Sequence, residues 1–574
     1  MLDIVARPLP DHADALDATL HPVLARVLRG RGVQSAAELD YRLDRLLRPD
    51  ALDGMDAAAA LVVGQLQAGG RFLICGDYDA DGATALTLVV RALTGFGARD
   101  VHWRVPNRFR HGYGLTAELV AELAELAPAL LITVDHGTAS VSGVAAANAA
   151  GFRVLVTDHH LAGDTLPAAA ALLNPNLPGS SGTGRALAGC GVAFYLMLAV
   201  RQRLRELGHF ADGKGPNLAA LTDLVALGTV ADLVPLDHGN RILVRAGLER
   251  IRRGLACPGI GALLDDAGRA PAKSDTGTLG FQLAPRLNAA GRLDDMSIGI
   301  RCLLADAPAA AEARTLARQL GDYNRERRAI QQDMQAEAEV AVDGLSGGVG
   351  LGLVVHDPGW HAGVVGLVAS RLVERHHRPT LALAPADEDG LDWRGSGRSI
   401  PGVHLRDVLA LVDARHPGLM TRYGGHAMAA GLSIRAEALP ALAAAFDAAL
   451  AEWGAAAHLT RRIATDGGLR PADLTVELAQ RLADAGPWGQ HFPPPLFDNV
   501  FRVLQRRWLK ERHLRLTVAH PDGGAPVEAI WFGAIDAEPH LHEAPRLRLL
   551  YELGINDWMD QTRLQLMVQR ALPA

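Results

Sequence analysis

Cysteine is scarce in this sequence. Only four occur in 574 residues, Cys75, Cys190, Cys257 and Cys302, and none stands at a spacing typical of metal ligands. We therefore expect free, buried thiols in a reducing compartment, and neither a disulfide framework nor a thiolate metal site.

Signals for membrane insertion or export are also missing. No apolar run approaches the roughly 20 residues of a membrane span. The first residues, MLDIVARPLPDHADALD, carry acids early and show no basic region followed by an apolar one, so they do not resemble a secretory signal. The sequence thus predicts a cytoplasmic protein with no membrane partner.

An excess of positive charge is the third missing feature. The formal net charge is −7, with 49% hydrophobic and 21% charged residues, which is the balance of a soluble globular protein. A negative sum is unusual for a protein that binds nucleic acid. A carboxylate cluster around metal would contribute to it, however, and local patches matter more than the sum. Net charge therefore does not decide the partner.

The chain is too long for one hydrophobic core, so several domains are expected. Strand-like and helix-like patterns alternate over much of it, which favours α/β domains with parallel strands. Residues 307–343 contain one Gly and no Pro after Pro308, a composition that favours a long helix. Short alternating strands after Asp466 predict a small β-barrel. We predict an N-terminal helical segment (1–50), a first α/β domain (51–305), a connecting helix (306–345), a smaller α/β domain (346–458) and the barrel (459–574).

Three motifs place acids or histidines directly after predicted buried strands. They are GDYDADG at 76–82, TVDHG at 133–137 and VTDHH at 156–160. In a parallel sheet the carboxyl ends of the strands share one edge, where open α/β proteins bind their ligands. We therefore expect these side chains to converge: Asp77, Asp79, Asp81, Asp135, Asp158, His159 and His160. Divalent metal is the usual counter-charge for such a group.

Each motif alone has a plainer interpretation. Acids after a strand are common as helix caps, and adjacent histidines are often inert surface residues. In the first motif we expect an extended turn whose alternate acids point the same way, with Gly82 curling the chain before a helix near Ala83. Asp232, in the apolar segment LGTVADLVPL, needs a partner if it is buried. Asp223, at the start of the same segment, is a competing candidate that could be a cap.

Taken together, the four motifs resemble the DHH phosphoesterase superfamily. The similarity extends to its bacterial single-strand-specific exonucleases through PNRFRHGYGL (106–115), NPN (174–176), AGCGVAF (188–194), LAPRLNAAGRL (283–293), GWHAGVVGLVASRL (359–372), GSGRS (395–399), YGGHAMAAGLSI (423–434) and YELGINDWMDQTRLQLMVQ (551–569). The resemblance implies a DHH parallel-sheet domain joined by the long helix to a smaller α/β DHH-associated domain, followed by an OB-fold-like β-barrel.

The resemblance also implies an activity. We expect a metal-dependent 5′ to 3′ exonuclease that degrades single-stranded DNA to 5′-mononucleotides in recombination and repair. Two alternatives stay open. A DHH phosphodiesterase acting on short oligonucleotides or cyclic dinucleotides is usually shorter or membrane-tethered and would not need the barrel. A non-catalytic single-strand-binding scaffold would carry degenerate motifs, whereas every motif here is intact.

By the same resemblance, the metal ligands are expected to be Asp79, Asp81, Asp135, His159 and Asp232, with Asp77 as a further one. His160 is expected to contact the scissile phosphate or assist proton transfer, and Asp158 to orient the histidines. Carboxylate and imidazole ligands without thiolate suit two divalent ions, Mn²⁺ or Mg²⁺.

Substrate contacts are expected from basic, glycine-rich and aromatic segments. Two glycine-rich loops in the second domain could cradle phosphate through backbone N–H groups, and basic and aromatic residues of the barrel could bind backbone and bases. For any single arginine, an ordinary surface residue is the competing interpretation, and for Trp531 and Phe532 a core role is equally well supported. A cleft between the two α/β domains would admit a single strand and exclude a duplex. The candidates are Arg108, Arg110, His111, Arg286, Asn288, Arg292, Trp360, His361, Ser396, Arg398, Ser399, Gly424, Gly425, His426, Arg507, Trp508 and Lys510. Single-stranded DNA, a helicase and a single-strand-binding protein are the expected partners of a monomer.

Overall fold

The computed structural model of the chain describes residues 2–10, 16, 20–108, 110–126, 130–344, 350–387, 389–537, 539–558 and 561–574. The chain divides into two compact units. One comprises Met1–Val5 and Asp322–Ile463, and the other comprises Ala6–Gly321 and Ala464–Ala574. In the described residues, no helix is both long enough and apolar enough to cross a membrane.

The strands, in chain order, are β1 (Leu2–Ala6), β2 (Phe72–Gly76), β3 (Val101–Arg104), β4 (Leu130–Val134), β5 (Arg153–Thr157), β6 (Ala171–Leu173), β7 (Leu353–His356), β8 (Thr380–Pro385), β9 (Asp392–Arg398), β10 (Arg422–Gly425), β11 (Ala429–Arg435), β12 (Arg461–Thr465), β13 (Phe497–Leu509), β14 (His513–Ala519), β15 (Val527–Trp531), β16 (Arg546–Trp558) and β17 (Gln561–Pro573).

The helices are α1 (Pro22–Arg29), α2 (Met55–Gln67), α3 (Ala80–Gly95), α4 (Ala117–Leu123), α5 (Val141–Ala149), α6 (Gly189–Glu206), α7 (Thr222–Ala231), α8 (His238–Arg252), α9 (Pro258–Asp266), α10 (Thr276–Thr278), α11 (Ala284–Leu293), α12 (Ser297–Leu304), α13 (Ala310–Asp343), α14 (Val365–His376), α15 (Leu405–Arg415), α16 (Leu439–Trp453), α17 (Val476–Asp484) and α18 (Pro539–Glu543). A π-helical turn, Leu279–Leu283, joins α10 to α11.

The larger unit is built on a five-stranded parallel sheet with the order β3-β2-β4-β5-β6. Every residue of β2 and β4 is buried, as expected for parallel strands covered by helices on both faces. Gly76 pairs with Val134, and Val134 pairs with Thr157. Because these three strands end at the same level, the residues that follow them start from one edge of the sheet.

The C-terminal strands close into a barrel, β13-β14-β15-β17-β16, and this barrel belongs to the same compact unit as the parallel sheet. The Arg31 guanidinium is fully buried and lies 2.7 Å from Asp466 Oδ1. It also donates to the carbonyl of Pro493 at 2.6 Å, and Leu236 N–H donates to the carbonyl of Gln490 at 2.8 Å. The segment that leads into the barrel is therefore packed on the first domain.

The smaller unit contains a mixed sheet with the order β10-β11-β9-β8-β7. Only β7 and β8 pair in parallel, and the other neighbours are antiparallel. Leu381, Leu409 and Phe446 belong to its core, which α15 and α16 cover. The predicted fold class, a parallel-sheet domain, a smaller α/β domain and a terminal barrel, is confirmed.

Two segments differ from expectation. Residues 1–50 were expected to be helical, but β1 forms a two-stranded sheet with β12, and α1 covers only Pro22–Arg29. The expected connecting helix at 306–345 corresponds to α13, Ala310–Asp343. Its predicted end at residue 345 lies outside the described residues.

Candidate metal centre and nucleic-acid interface

The predicted acids and histidines converge at the carboxyl edge of the parallel sheet. Asp77, Asp79 and Asp135 each offer a ligand atom within 4.8 Å of one another, as do Asp81, His159 and Asp232. His159 Nε2 lies 3.2 Å from Asp135 Oδ1 and 3.4 Å from Asp232 Oδ2. Asp135 and His159 therefore join the two groups into one cluster.

Two ligand atoms of this cluster have no hydrogen-bond partner among the described residues. Asp135 Oδ1 and His159 Nε2 are buried and accept or donate no hydrogen bond among the described residues. Asp135 is 2% exposed and has a φ of 66°, a left-handed conformation that costs free energy in a residue other than glycine. Buried polar atoms normally find a partner, so the geometry fits a bound cation.

The pKa shifts of the acidic side chains, with the protein groups alone, also indicate a site for a cation. Burial, then the neighbouring charge of Asp79, raises the pKa of Asp77 to about 8. Burial, then Asp81 and Asp79, raises the pKa values of Asp135 and Asp232 well above their usual range. Crowded carboxylates of this kind require positive charge to remain ionised, which divalent metal would supply.

His159 is suited to ligate metal. Burial, followed by the charge of His160, lowers the pKa of His159, which favours the neutral imidazole. Neutral imidazole is the form that coordinates metal. This donor set fits two cations for two reasons. The Asp135 Oδ1 and His159 Nε2 atoms have no hydrogen-bond partner in the described part of the chain, and five carboxylates lie together in the cluster.

The first motif is folded differently from the extended turn that we expected. Helix α3 begins at Ala80, with Asp79 as its N-cap accepting the N–H of Gly82 at 3.0 Å. Asp79 is thus both a cap and a cluster member, and Asp81 already lies in the first helical turn. Gly82 does not curl the chain. A Cβ there would lie 2.5 Å from the backbone N of Asp77, so glycine allows a close approach.

Asp81 is held by the start of α6, more than a hundred residues away in sequence. Its Oδ2 accepts the N–H of Gly189 at 2.6 Å, and its Oδ1 accepts the N–H of Cys190 at 3.0 Å. Backbone donors at a helix N-terminus stabilise a carboxylate. Gly189 also leaves the space that Asp135 occupies, because a Cβ on it would lie 2.4 Å from Asp135 Oδ1.

The structure separates Asp232 from Asp223. Asp232 is the C-cap of α7 and faces His159. Asp223 lies at the other end of the same helix, where its Oδ2 accepts the N–H of Cys257 at 2.7 Å. Of these two acids, Asp232 belongs to the cluster and Asp223 does not.

Asp158 supports the two histidines. Its Oδ1 accepts the backbone N–H of His159 at 2.7 Å and Nδ1 of His160 at 2.8 Å, and its Oδ2 accepts the N–H of Thr138 at 2.9 Å. Burial alone would raise the pKa of Asp158, but its hydrogen bond with His160 and related contacts hold it below the usual range. For His160, burial is outweighed by Asp158, which raises the pKa to about 9. Asp158 therefore favours the charged, hydrogen-bond-donating form of His160.

Two asparagines fix the Asp-His-His turn from outside. Asn174 Nδ2 donates to the carbonyl of His160 at 2.8 Å, and Asn176 Nδ2 donates to the carbonyl of His159 at 2.6 Å. The NPN triplet supported the family resemblance, but we predicted no role for its side chains. The triplet directly follows a strand of the same sheet, and this position is the sequence feature from which the role could have been predicted.

The basic substrate-contact candidates of the first domain have different partners. Arg108 stacks over the Tyr78 ring at 4.3 Å and influences the Asp77 carboxyl, so it lies beside the cluster. Arg110 instead pairs with Glu118 at 3.4 Å and with Glu122, and His111 Nε2 lies 3.1 Å from the same Glu122.

The candidates on α11 serve the architecture of the centre. Arg286 is 9% exposed and donates to Asp266 at 2.8 Å. Asn288 Oδ1 accepts the N–H of Ala80 at 2.8 Å, which ties α11 to the first motif. Arg292 influences the pKa of Tyr78 and so lies near that motif. Phosphate binding by Arg286, Asn288 and Arg292 stays a prediction.

The expected glycine-rich phosphate loops of the second domain are strands. Gly395–Arg398 forms the end of β9, which pairs with both β8 and β11, so its backbone groups are committed to the sheet. A Cβ on Gly397 would lie 2.7 Å from Leu381 and Leu405; the glycine therefore serves packing. Gly424 and Gly425 likewise end β10. The prediction that these segments form loops is therefore wrong, and phosphate binding by their residues stays a prediction.

The side chains of the second α/β domain that were predicted to contact the substrate remain candidates. Arg398 donates to Ser396 Oγ at 3.0 Å and to its neighbour's carbonyl, and Ser399 Oγ donates to the carbonyl of Val403 at 2.7 Å. Trp360 Nε1 donates to Glu337 at 2.7 Å. His361 Nδ1 accepts the N–H of Gly363 at 3.1 Å, and His426 N–H donates to the carbonyl of Ala429 at 2.8 Å.

Part of the predicted nucleic-acid-binding surface of the barrel is exposed to solvent. Arg507 and Trp508 lie on the exposed end of β13, and Lys510 follows at the turn with a φ of 50°. Trp508 is 41% exposed, whereas Trp531 is 5% exposed and belongs to the core. Phe532 is 54% exposed. The two aromatics that were left undecided thus differ, and only Phe532 is accessible.

The fold and this cluster define a metal-dependent phosphoesterase of the DHH class. Residues 71–229 match the DHH family, N-terminal domain; residues 348–452 match the DHHA1 domain; and residues 465–570 match the RecJ OB domain. The chain is 46% identical to the single-stranded-DNA-specific exonuclease RecJ of Escherichia coli (strain K12), over 99% of this chain and 98% of that protein.

A solved structure is also similar. The crystal structure of RecJ in complex with Mn²⁺ from Thermus thermophilus has a TM-score of 0.82 and 30% identity, covering 100% of this chain and 79% of that one. The Mg²⁺ complex of RecJ from the same organism has a TM-score of 0.76 and 28% identity, with 100% and 78% covered. The chain belongs to the RecJ family of exonucleases.

Proposed function

We propose that this chain is a metal-dependent exonuclease that degrades single-stranded DNA in the 5′ to 3′ direction to 5′-mononucleotides, in DNA recombination and repair. The observation that carries the proposal is the convergence of five carboxylates and His159 at one sheet edge. Its similarity to relatives named as single-stranded-DNA-specific exonucleases supports the substrate class.

Two divalent ions, Mn²⁺ or Mg²⁺, would be held by Asp77, Asp79, Asp81, Asp135, His159 and Asp232. Bound metals of this kind polarise a phosphoryl oxygen and lower the pKa of a coordinated water. The protein orients the ligands: the α6 N-terminus fixes Asp81, and Asn176 holds the turn that presents His159.

His160 is the proposed contact for the scissile phosphate. Its hydrogen bond with Asp158 raises the pKa of the ring and favours the imidazolium, and a charged N–H donor binds a phosphate oxygen strongly. Asp158 holds the ring through Nδ1, which leaves Nε2, near the Tyr113 hydroxyl at 3.3 Å, for the substrate side. Arg108, beside the same cluster, would add positive charge.

The cellular context follows the family resemblance. We propose a monomer in the cytoplasm that works with a helicase and a single-strand-binding protein. Single-stranded DNA would be guided by the exposed basic and aromatic residues of the barrel, which lies in the same compact unit as the metal cluster.

The direct test is digestion of an end-labelled oligonucleotide. With Mn²⁺, a 3′-labelled single strand should shorten stepwise while its label is retained, and a chelator should abolish the reaction until Mn²⁺ is restored. The matched blunt duplex should resist. Early release of the 3′ label would contradict the proposed direction, and activity that survives the chelator would contradict the metal centre.

Single-strand affinity should depend on the exposed face of the barrel. Because each phosphate contact releases counterions, Arg507→Ala or Lys510→Ala should each reduce the salt slope of binding by about 0.7. Trp508→Ala should weaken binding with an unchanged slope, since stacking involves no counterion release. Fluorescence anisotropy over a salt series would measure both effects.

The matched control is Arg48→Ala. Arg48 is 79% exposed and pairs with Asp50, so it tests the loss of a surface arginine outside the barrel. A slope that falls as much for Arg48→Ala as for Arg507→Ala would place the main phosphate contacts elsewhere.

A further inference from the structure

Large apolar side chains are exposed close to the metal cluster. Phe281 is 74% exposed, Leu233 67% and Leu161 60%; with Val340 on α13, these are the four most exposed large hydrophobic side chains in the described part of the chain. Exposed apolar groups gathered at one place usually mark a binding surface. We call Leu161, Leu233 and Phe281 the apolar rim.

Two members of the apolar rim are joined directly to cluster residues. Leu161 follows His160, and Leu233 follows Asp232. His159 Nε2 and Asp232 Oδ2 are 3.4 Å apart. Leu161 and Leu233 therefore lie beside the cluster, each one or two residues from a proposed ligand.

Phe281 lies on the π-helical turn Leu279–Leu283, which packs against α7, the helix that has Asp232 as its C-cap. A Cβ on the adjacent Gly280 would lie 3.3 Å from Val230 Cγ1, and Val230 is two residues before Asp232. The helix that continues from this turn also accepts the N–H of Ala80 through Asn288. The turn thus packs against α7, and the helix that follows it is bonded to the first metal-binding motif.

The backbone that presents these side chains is irregular. Leu233 has a φ of 58°, a conformation that favours glycine and costs free energy in leucine. The π-helical turn is another departure from regular structure of the kind found at functional sites. The first places an apolar side chain in solvent directly after a proposed metal ligand, and the second places one in solvent on a turn that packs against α7.

We propose that the apolar rim packs against the faces of nucleobases when the terminal phosphodiester of a single strand lies at the metal cluster. This inference rests on the proposed function. Base faces are apolar and are open only in an unpaired strand, because a duplex stacks them inside. Contact with base faces is also independent of sequence, since every base has one. The apolar rim would therefore favour single strands of any sequence.

The test compares three variants by binding and by hydrolysis. Phe281→Ala and Leu233→Ala remove members of the apolar rim, and Leu207→Ala removes a leucine of similar exposure, 55%. Leu207 follows the far end of α6, about 27 Å along that helix from Asp81's partners. Anisotropy with Ca²⁺ in place of Mn²⁺ measures binding while hydrolysis is withheld.

We expect Phe281→Ala to weaken binding of an unmodified single strand on the order of 10-fold, as loss of base stacking does, with an unchanged salt slope. Phe281→Tyr should bind as the parent does, and Leu207→Ala should have no effect. The parent should bind a strand with abasic terminal nucleotides as weakly as Phe281→Ala binds the unmodified strand. On the abasic strand, Phe281→Ala should not reduce the affinity further.

The outcomes separate this inference from the proposed function. An equal loss on abasic and unmodified strands, or no loss in Phe281→Ala and Leu233→Ala, overturns the role of the apolar rim while hydrolysis by the parent still supports the exonuclease. Base-dependent binding without hydrolysis by the parent supports the rim and overturns the exonuclease. A parent protein that neither binds nor cleaves the strand overturns both.

Discussion

Replacing Asp135 by alanine is expected to reduce Mn²⁺-dependent hydrolysis of single-stranded DNA by at least about 10³-fold, since metal activation supplies several kcal/mol of the barrier reduction. Asp135 is the carboxylate that connects the two ligand groups and faces His159 at 3.2 Å. His159→Ala should have a comparable effect. Binding of the strand should persist, because the barrel and the other substrate contacts are untouched.

Single-turnover digestion, together with anisotropy in Ca²⁺, measures the two properties separately. Asp223→Asn is the matched control: it changes another buried aspartate of the same domain, but one bonded to the N–H of Cys257 and outside the cluster. Its activity per folded molecule should equal that of the parent. Hydrolysis at the parent rate by a clean preparation of Asp135→Ala would refute the assignment of the centre.

Much of the metal centre could be predicted because it depends on local patterns. Buried apolar runs identify β2, β4 and β5, and parallel pairing brings the residues that follow them to one edge. Asp232 could be proposed because an acid in an apolar segment needs a partner. The family resemblance favoured Asp232, but the residues alone left Asp223 as a competitor. The structure was needed to exclude Asp223, since the two lie at opposite ends of α7 and their partners are distant in sequence.

The roles of the glycines were the hardest to predict from the sequence. The run at 395–399 has the composition of a phosphate-binding loop, yet its first four residues end strand β9, where Gly397 makes room for Leu381 and Leu405. Gly189 was assigned no role, although it touches two ligands. Composition shows that a side chain is missing but not which neighbour takes its space, and that neighbour is fixed by tertiary packing.

The same limit applies to domain organisation. The strands of the barrel could be predicted from alternation, but its place in the compact unit of the parallel sheet could not. That association depends on pairs such as Arg31 with Asp466, which are far apart in the chain and have no local signature. A variant without residues 459–574 would remove Asp466 and Pro493, both partners of Arg31, so point substitutions are the sounder test of DNA binding.

Gly189→Ala is expected to lower hydrolysis by about 10²-fold, the typical effect of misplacing a catalytic group by about 1 Å. The new Cβ would lie 2.4 Å from Asp135 Oδ1, so either Asp135 or the start of α6 must move. Since that start also donates to Asp81, both ligands would be displaced. In a helix, glycine to alanine alone would be stabilising by about 1 kcal/mol, so a loss would come from the contact with the centre.

Gly191→Ala provides the control within the same helix. Its Cβ would meet only the Leu187 side chain, 3.1 Å from Cδ2, which can rotate away, and 3.4 Å from Cβ, an ordinary contact. Hydrolysis measured over a Mn²⁺ titration should give a reduced maximal rate and a weaker metal dependence for Gly189→Ala, and near-parent values for Gly191→Ala. The rise in melting temperature on adding Mn²⁺ should likewise shrink only in Gly189→Ala. Equal behaviour of the two variants would mean that the α6 N-terminus does not shape the metal centre.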